Sequence, residues 1–294
     1  MEQEAKKNYI KAGEVIQEAR KEARELAKPG TNLKTIADNI EDLIRERGLE
    51  PAFPVNVSVD DEAAHYTPGV NEKQELRAEN VVKIDIGAHS NGYIADTALT
   101  VNPSGRRQEM IDAVEKVLKE ALEFIEPGKT IGEVGEFIEN SVPEEYEVVR
   151  NLTGHYLGQY EQHAGVSIPN VVNNSDHILE EGDAFAIEPF LTDGSGRIKN
   201  GSDGNIYKLE SDKNVRGRME RDLLKEIKSF EGLPFTSRWF DDFGARQRMA
   251  LRKLVQADIV HSYPVLKEIN GGTVVQAEHT VILTEDGKKI TTRS

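Results

Sequence analysis

Two aspartates interrupt a stretch that otherwise reads as buried sheet. In VVKIDIGAHSNGYIADTALTV, residues 81–101, apolar and β-branched residues flank a turn-forming centre of Gly87, Ser90, Asn91 and Gly92, the pattern of a β-hairpin. Asp85 and Asp96 stand 11 residues apart across a turn centred near residues 90 and 91, which sets them on opposite strands, facing each other. An unpaired buried carboxylate is strongly disfavoured, and two side by side force a proton onto one of them unless a cation lies between. A lone buried Asp more often caps a turn or binds backbone amides. Pairing across a hairpin weakens that reading.

Three further segments place acids or imidazoles in strand-like surroundings. LTGHYLGQYEQHAGVSIPN carries His155 and His163 among Gly154, Gly158 and Gly165, glycines that suit close backbone approach. EEGDAFAIEPF ends an apolar strand at Glu188, just before Pro189, and GGTVVQAEHTVIL sets Glu278 in the middle of a strand among Val274, Val275, Val281 and Ile282. Taken singly, a histidine here is more often a satisfied core residue, but Glu is among the residues least often buried unpaired. Together, four carboxylates with one or two imidazoles balance as a metal centre. Oxygen-rich ligation with a single imidazole suits Mn²⁺, Fe²⁺ or Co²⁺ better than a structural zinc site, and two divalent cations would neutralise the four negative charges.

Composition narrows the alternatives. The 294 residues are 37% apolar and 30% charged, which fits a soluble globular chain with length for a closed core. With no cysteine, only His, Asp and Glu can build a metal site. A net charge of −15 argues against a nucleic-acid binder, no apolar run approaches a bilayer span, and the charged start MEQEAKKNYIKAGEVIQEARKEARELAKPG lacks the core of a secretory signal, so a cytoplasmic location is expected.

The elements that must position these side chains come as a repeat. Helical spacing predicts helices over 3–27 and 33–48, followed by the strand-like AFPVNVSVDD, and again over 107–126 and 130–141, followed by YEVVRNLTGHY. The helix junctions KPGTNLKTIADNIED and EPGKTIGEVGEFIEN resemble each other, with Pro29 and Pro127 separated by 98 residues, as are His65 and His163. Two such halves suggest a duplicated α+β fold, its antiparallel sheet covered on one face by helices and its site between the halves.

The run FPVNVSVDDEAAHYTPG, KIDIGAHSNGYIADTALTV, LTGHYLGQYEQHAGVSIPN, FAIEPF and VVQAEHTVIL closely resembles the type 2 methionine aminopeptidases, of the pita-bread-fold metallopeptidases, over residues 5 to 290. The resemblance implies one pita-bread catalytic domain over 1–294 in a compact, archaeal-like form. It implies two divalent ions (Co, Mn, Fe, Zn or Ni): Asp85 on one, Asp96 and Glu278 bridging, His155 and Glu188 on the other. The implied reaction is removal of an initiator methionine when the next residue is small, by a hydroxide held between the metals. His65 and His163 match the family's catalytic histidines, with Glu188 shuttling a proton and Phe53 and Tyr263 lining the substrate pocket beside those histidines. Gln162 and Ala277 depart from the family, which favours an apolar residue and a large aromatic there.

The separation of 90 positions from Glu188 to Glu278 exceeds the shorter segment of type 1 enzymes, and the interval is expected to hold a helical insertion over about 195–260. Residues 213–256 carry eleven Lys and Arg against six Asp and Glu, a solvated helical face or a docking patch for ribosomal RNA near emerging chains. Nascent N-termini are the expected partners of a monomer, with no membrane and no sequence-specific nucleic acid. Xaa-Pro peptidases share the five-ligand pattern, but AAHYTPG and the long insertion favour methionine removal. Non-catalytic relatives typically lose ligands, and here all five positions are filled. His89, His177, His261 and His279 are expected to serve packing or the surface.

Overall fold

Apolar residues spaced by three and four build two helices at the start of the chain. In the computed structural model, which describes residues 1–213 and 215–293, α1 is Gln3–Leu26 and α2 is Leu33–Glu46, whose first turn is capped by the Asn32 side chain on the Lys34 amide. The pair recurs as α3, Gln108–Phe124, and α4, Ile131–Ser141, with Thr130 and Glu133 capping α4 reciprocally. The ends of α1 and α3 are 98 residues apart, as are the starts of α2 and α4. Gly30 and Gly128 take the same left-handed turn, and their amides reach the Leu76 and Leu179 carbonyls at 2.7 and 2.8 Å. The repeat read from the sequence therefore extends to single hydrogen bonds.

Each helix pair covers its own strands. α1 packs on the hairpin Val82–Ser90 and Tyr93–Val101, and α2 on Asn56–Val59 beside it, with Ile16, Ile40, Ile84 and Leu99 in their common core. In the second half α4 packs on Ser167–Pro169, and α3 on Phe190–Thr192 and Val274–Gln276; Val114, Ile138, Phe185 and Val281 share that core. All strand pairings among the described residues are antiparallel. The expected α+β, duplicated pita-bread fold is what the chain adopts.

Threonine side chains join the halves. The Thr280 hydroxyl accepts the Asp96 N–H and donates to the Asp96 carbonyl, both at 2.8 Å; Thr97 donates to the Glu278 carbonyl at 2.6 Å, and Thr100 to that of Gln276 at 2.7 Å. Strand Tyr93–Val101 of the first half is thereby held against residues 276–280 of the second.

Between the strands Ile198–Leu209 and Val260–Glu268, which pair with each other, the chain makes α5, Arg218–Ile227, and α6, Ala245–Gln256. The stretch 195–260 is thus not wholly helical: it opens with a 12-residue strand, whose Gly, Asn and Asp content reads locally as loop and whose ladder is made by a partner some 60 residues away. α5 and α6 enclose a small core of Leu223, Leu251, Leu254, Phe235 and Phe240. Arg238 anchors this unit to α2 and the neighbouring loop. All five of its N–H donors are used, on Asp38, both oxygens of buried Glu41, Thr67 and the Pro68 carbonyl. No helix among the described residues is long and apolar enough to cross a membrane.

Candidate metal centre

The hairpin turns at Asn91 and Gly92, one residue later than the sequence suggests, and this shift sets the geometry of the two aspartates. Asp85 pairs with Ala98 and Asp96 with Gly87. The carboxylates are therefore not directly opposite but diagonal on one face of the hairpin, still close enough to interact. Glycine at 87 has a second consequence. A Cβ there would lie 2.1 Å from a Phe53 ring carbon, so the missing side chain makes room for the ring.

Glu188 and Glu278 occupy matching breaks. Ile187 pairs with His279 and Phe190 with Gln276, so Glu188-Pro189 and Ala277-Glu278 face each other where neither segment is regular strand. Glu278 thus sits not in mid-strand but in a two-residue interruption, where Pro189 has no N–H to donate and Ala277 donates to its carbonyl at 3.3 Å. His155 comes from the adjacent strand Thr153–Tyr156, where Gly154 lets the Ala186 carbonyl approach to 2.4 Å of where a Cβ would stand. Gly165, by contrast, has open space around it and is used for its left-handed φ of 75°.

All nine residues singled out in the sequence, Phe53, His65, Asp85, Asp96, His155, His163, Glu188, Tyr263 and Glu278, line one cavity of about 340 Å³. Donor atoms of Asp96, His155 and Glu278 lie within 4.8 Å of one another. His155 Nε2 is 3.7 Å from both Asp96 Oδ2 and Glu188 Oε1, so Glu188 flanks this trio on one side while Asp85 adjoins Asp96 on the other. Burial first, and then mutual repulsion, raise Asp85, Glu188 and Glu278 well above the usual carboxylate range; burial raises Asp96 to about 7 against hydrogen bonds that include one from Gln162. Burial and the nearby His163 hold His155 near 3, so its imidazole is neutral and able to ligate.

Buried Asp85 Oδ1, Asp96 Oδ1 and Glu278 Oε2 have no hydrogen-bond partner among the described residues. Three orphaned carboxylate oxygens in one cavity with a neutral imidazole fit divalent cations, which would satisfy them and return the acids to their charged forms.

Around the acids stand groups able to handle a substrate. His65 has a left-handed φ of 64° that a histidine rarely takes, with Tyr263 edge-on at 5.4 Å and its buried Nδ1 unpartnered among the described residues. Burial and His163 lower His65 to about 4. His163 stands at the exposed mouth, its ring 4.4 Å from that of His155, and partial burial with Lys208 lowers its pKa, so both imidazoles are neutral near pH 7. Further polar residues support the acids, and of these only Gln162 is marked in the sequence, as a departure from the resembled motif. Gln276 donates to Glu188 at 3.4 Å, Gln162 to Asp96 at 3.4 Å, and Asn170 to the Glu188 carbonyl at 3.0 Å. Gln276 and Asn170 look like ordinary strand or loop residues until the halves are brought together.

Comparison with known proteins gives a consistent result. Residues 7–285 match the model of metallopeptidase family M24. A methionine aminopeptidase of Methanocaldococcus jannaschii is 43% identical over 295 residues, covering 100% of both chains. Among solved structures, a thermophilic Arx1 superposes with a TM-score of 0.88 at 16% identity, over 99% of this chain and 91% of its own, and a methionine aminopeptidase of Thermotoga maritima with a TM-score of 0.72 at 21% identity, over 100% and 98%.

Proposed function

This chain belongs to metallopeptidase family M24, and from that premise we propose that it is a type 2 methionine aminopeptidase, releasing the initiator methionine of nascent chains whose second residue is small. The observation that carries the reading is that five donors and two further histidines line one cavity in a chain related end to end to such an enzyme. Asp85, Asp96, His155, Glu188 and Glu278 would hold two divalent ions. Bound there, the ions supply a water of lowered pKa and a Lewis acid toward the scissile carbonyl.

The chain's own groups do the rest. Glu188, partly open to the cavity, is placed to carry a proton from the attacking water to the leaving amine. Neutral His163 donates an N–H to the carbonyl oxygen as charge develops on it, and His65, steadied by Tyr263, contacts the scissile amide nitrogen. Phe53, with Pro234 and Ile206, offers the methionine side chain an apolar wall.

Assignment to type 2 is supported by the long interval from Glu188 to Glu278, which carries α5 and α6 within a single catalytic domain. Their exposed Arg218, Arg221, Lys225, Arg246, Arg248 and Arg252 suit a cytoplasmic monomer that meets ribosomal RNA near emerging chains. Ribosome co-sedimentation should weaken with salt and on reversing these charges; binding indifferent to both would reject the contact.

The deciding assay is hydrolysis of Met-Ala-Ser and Ala-Pro-Ser by protein stripped with EDTA and resupplied with Mn²⁺ or Co²⁺. Methionine release restored by metal, with the proline peptide intact, is expected. Cleavage of the proline peptide alone would assign an Xaa-Pro peptidase, and silence on both would point to a binding protein.

A further inference from the structure

A second hollow lies behind the metal centre. Ala277 and His279 face it while Glu278 between them faces the metal cavity, so the two spaces share a wall one residue thick. α1 and α3 bound this hollow, whose volume is about 610 Å³. Its polar wall is cationic: Arg20, Lys21 and Arg24 from α1, Lys116 and Lys119 from α3, and Arg293. The one carboxylate lining it, Glu115, is engaged by Arg24 at 2.9 Å. In a chain of net charge −15, six cations around one concavity are a local reversal of sign. Lys116 and Lys119 also face Glu120 and Glu123, but at 3.8 and 3.9 Å in solvent, where such pairs are weak.

Arg20 is preset for a ligand. Its Nη1 donates to the Thr97 hydroxyl at 2.8 Å and the Ala98 carbonyl at 2.6 Å, which fixes the guanidinium plane. Its Nε and Nη2 groups have no acceptor among the described residues, leaving three N–H donors on a held fork, the arrangement that suits phosphoryl oxygens. The floor is apolar, formed by Leu118, Leu122 and Ala277. A lone phosphate ion would use the cations, leave the floor uncovered and fill a small part of a hollow within the usual size of ligand pockets.

We propose that this hollow binds a nucleoside polyphosphate, its phosphates on Arg20, Lys21 and Lys116 and its nucleoside over Leu118, Leu122 and Ala277. The site is separate from the peptide cavity and does not depend on the reaction assigned there.

The test is calorimetric titration of the metal-loaded protein with ATP and, separately, with tripolyphosphate. Saturable one-to-one binding of ATP is expected, severalfold tighter than tripolyphosphate because only ATP covers the floor. The double variant Lys21→Glu, Lys116→Glu, altered at two exposed positions, should weaken ATP binding on the order of tenfold or more and leave Met-Ala-Ser hydrolysis unchanged. Phosphate ligation of the active-site metals would survive that double substitution, so ATP binding equal in both proteins, or absent from the wild type, would overturn the site. Equal affinity for tripolyphosphate would overturn the nucleoside assignment. Capture of a single-stranded RNA oligonucleotide through the same lysines, without ATP binding, would overturn it in favour of a nucleic-acid surface.

Discussion

The smallest residue in the site sets one of its dimensions. Gly87 faces Asp96 across the hairpin and leaves the space that the Phe53 ring fills. Gly87→Ala should displace the ring, destabilise the fold by about 1–3 kcal/mol through overpacking, and raise KM for methionine peptides more than it lowers kcat, as urea unfolding and steady-state kinetics would read. A kcat loss alone would place Phe53 outside the substrate pocket. Much of the site is legible at this scale, because each acid is an anomaly: Asp85, Asp96, Glu188 and Glu278 interrupt apolar runs, and nothing in those runs compensates them, whereas the histidines stand out only beside those acids or by family resemblance. Their supports are another matter. Thr97, Thr100 and Thr280 are ordinary β residues, and their work of joining the halves follows from a pairing 181 or so residues long in sequence that no local pattern announces. The hairpin register lies one residue beyond the sequence expectation for a related reason: Ser90 is itself a turn former, so composition alone does not say whether it ends the strand or begins the turn.

Helices are the elements best specified by sequence, and the anchor of α5 and α6 is the least. Period and caps bound α1 to α4 within two residues of their ends, whereas Arg238 reads as a surface cation until it is found buried against Glu41. Arg238→Met should cost about 3–5 kcal/mol, because Glu41 is left buried without its partner, and Arg238→Met with Glu41→Leu should recover part of that loss in denaturant unfolding. Equal instability of the single and double variants would mean that the hydrogen bonds from Val55 and Trp239 to Glu41 matter more than the ion pair. The end of strand Val260–Glu268 holds a second such anchor. Burial alone would raise Glu268, yet hydrogen bonds from Ser195, Gly272 and Asn270 outweigh it and bring the carboxyl to about 2. A depressed carboxyl stabilises the folded state above its unfolded value, about 4.3, and that contribution is lost as pH falls from there toward about 2. Glu268→Gln should therefore lower stability by about 1–3 kcal/mol at pH 7 and flatten its decline between pH 4 and 2. An unchanged slope in that window would assign the acid sensitivity elsewhere.

For the molecule as a whole, duplication supplies the frame, and what the frame brings together calls for a counter-charge. The two halves match in helix ends, turn glycines and single backbone hydrogen bonds, yet the acids they bring together repel one another without a counter-ion. Chelation should lower the melting temperature of the protein, and Mn²⁺ at a hundredfold excess over Kd should restore it by stabilising the fold by about 2.7 kcal/mol per site. Asp96→Asn should raise the melting temperature of the stripped protein while abolishing the gain from metal; no difference between stripped wild type and variant would show that the acids are compensated by some other means. Order of synthesis adds a last consequence of the Thr97 to Glu278 join. Translation delivers Asp85, Asp96, His155 and Glu188 first, and Glu278, with the segment that pins Asp96 in place, 90 residues afterwards. No emerging chain that stops short of Glu278 holds the full donor set, so a protein proposed to trim unfinished polypeptides is itself inert until that residue has been added and has folded against Thr97.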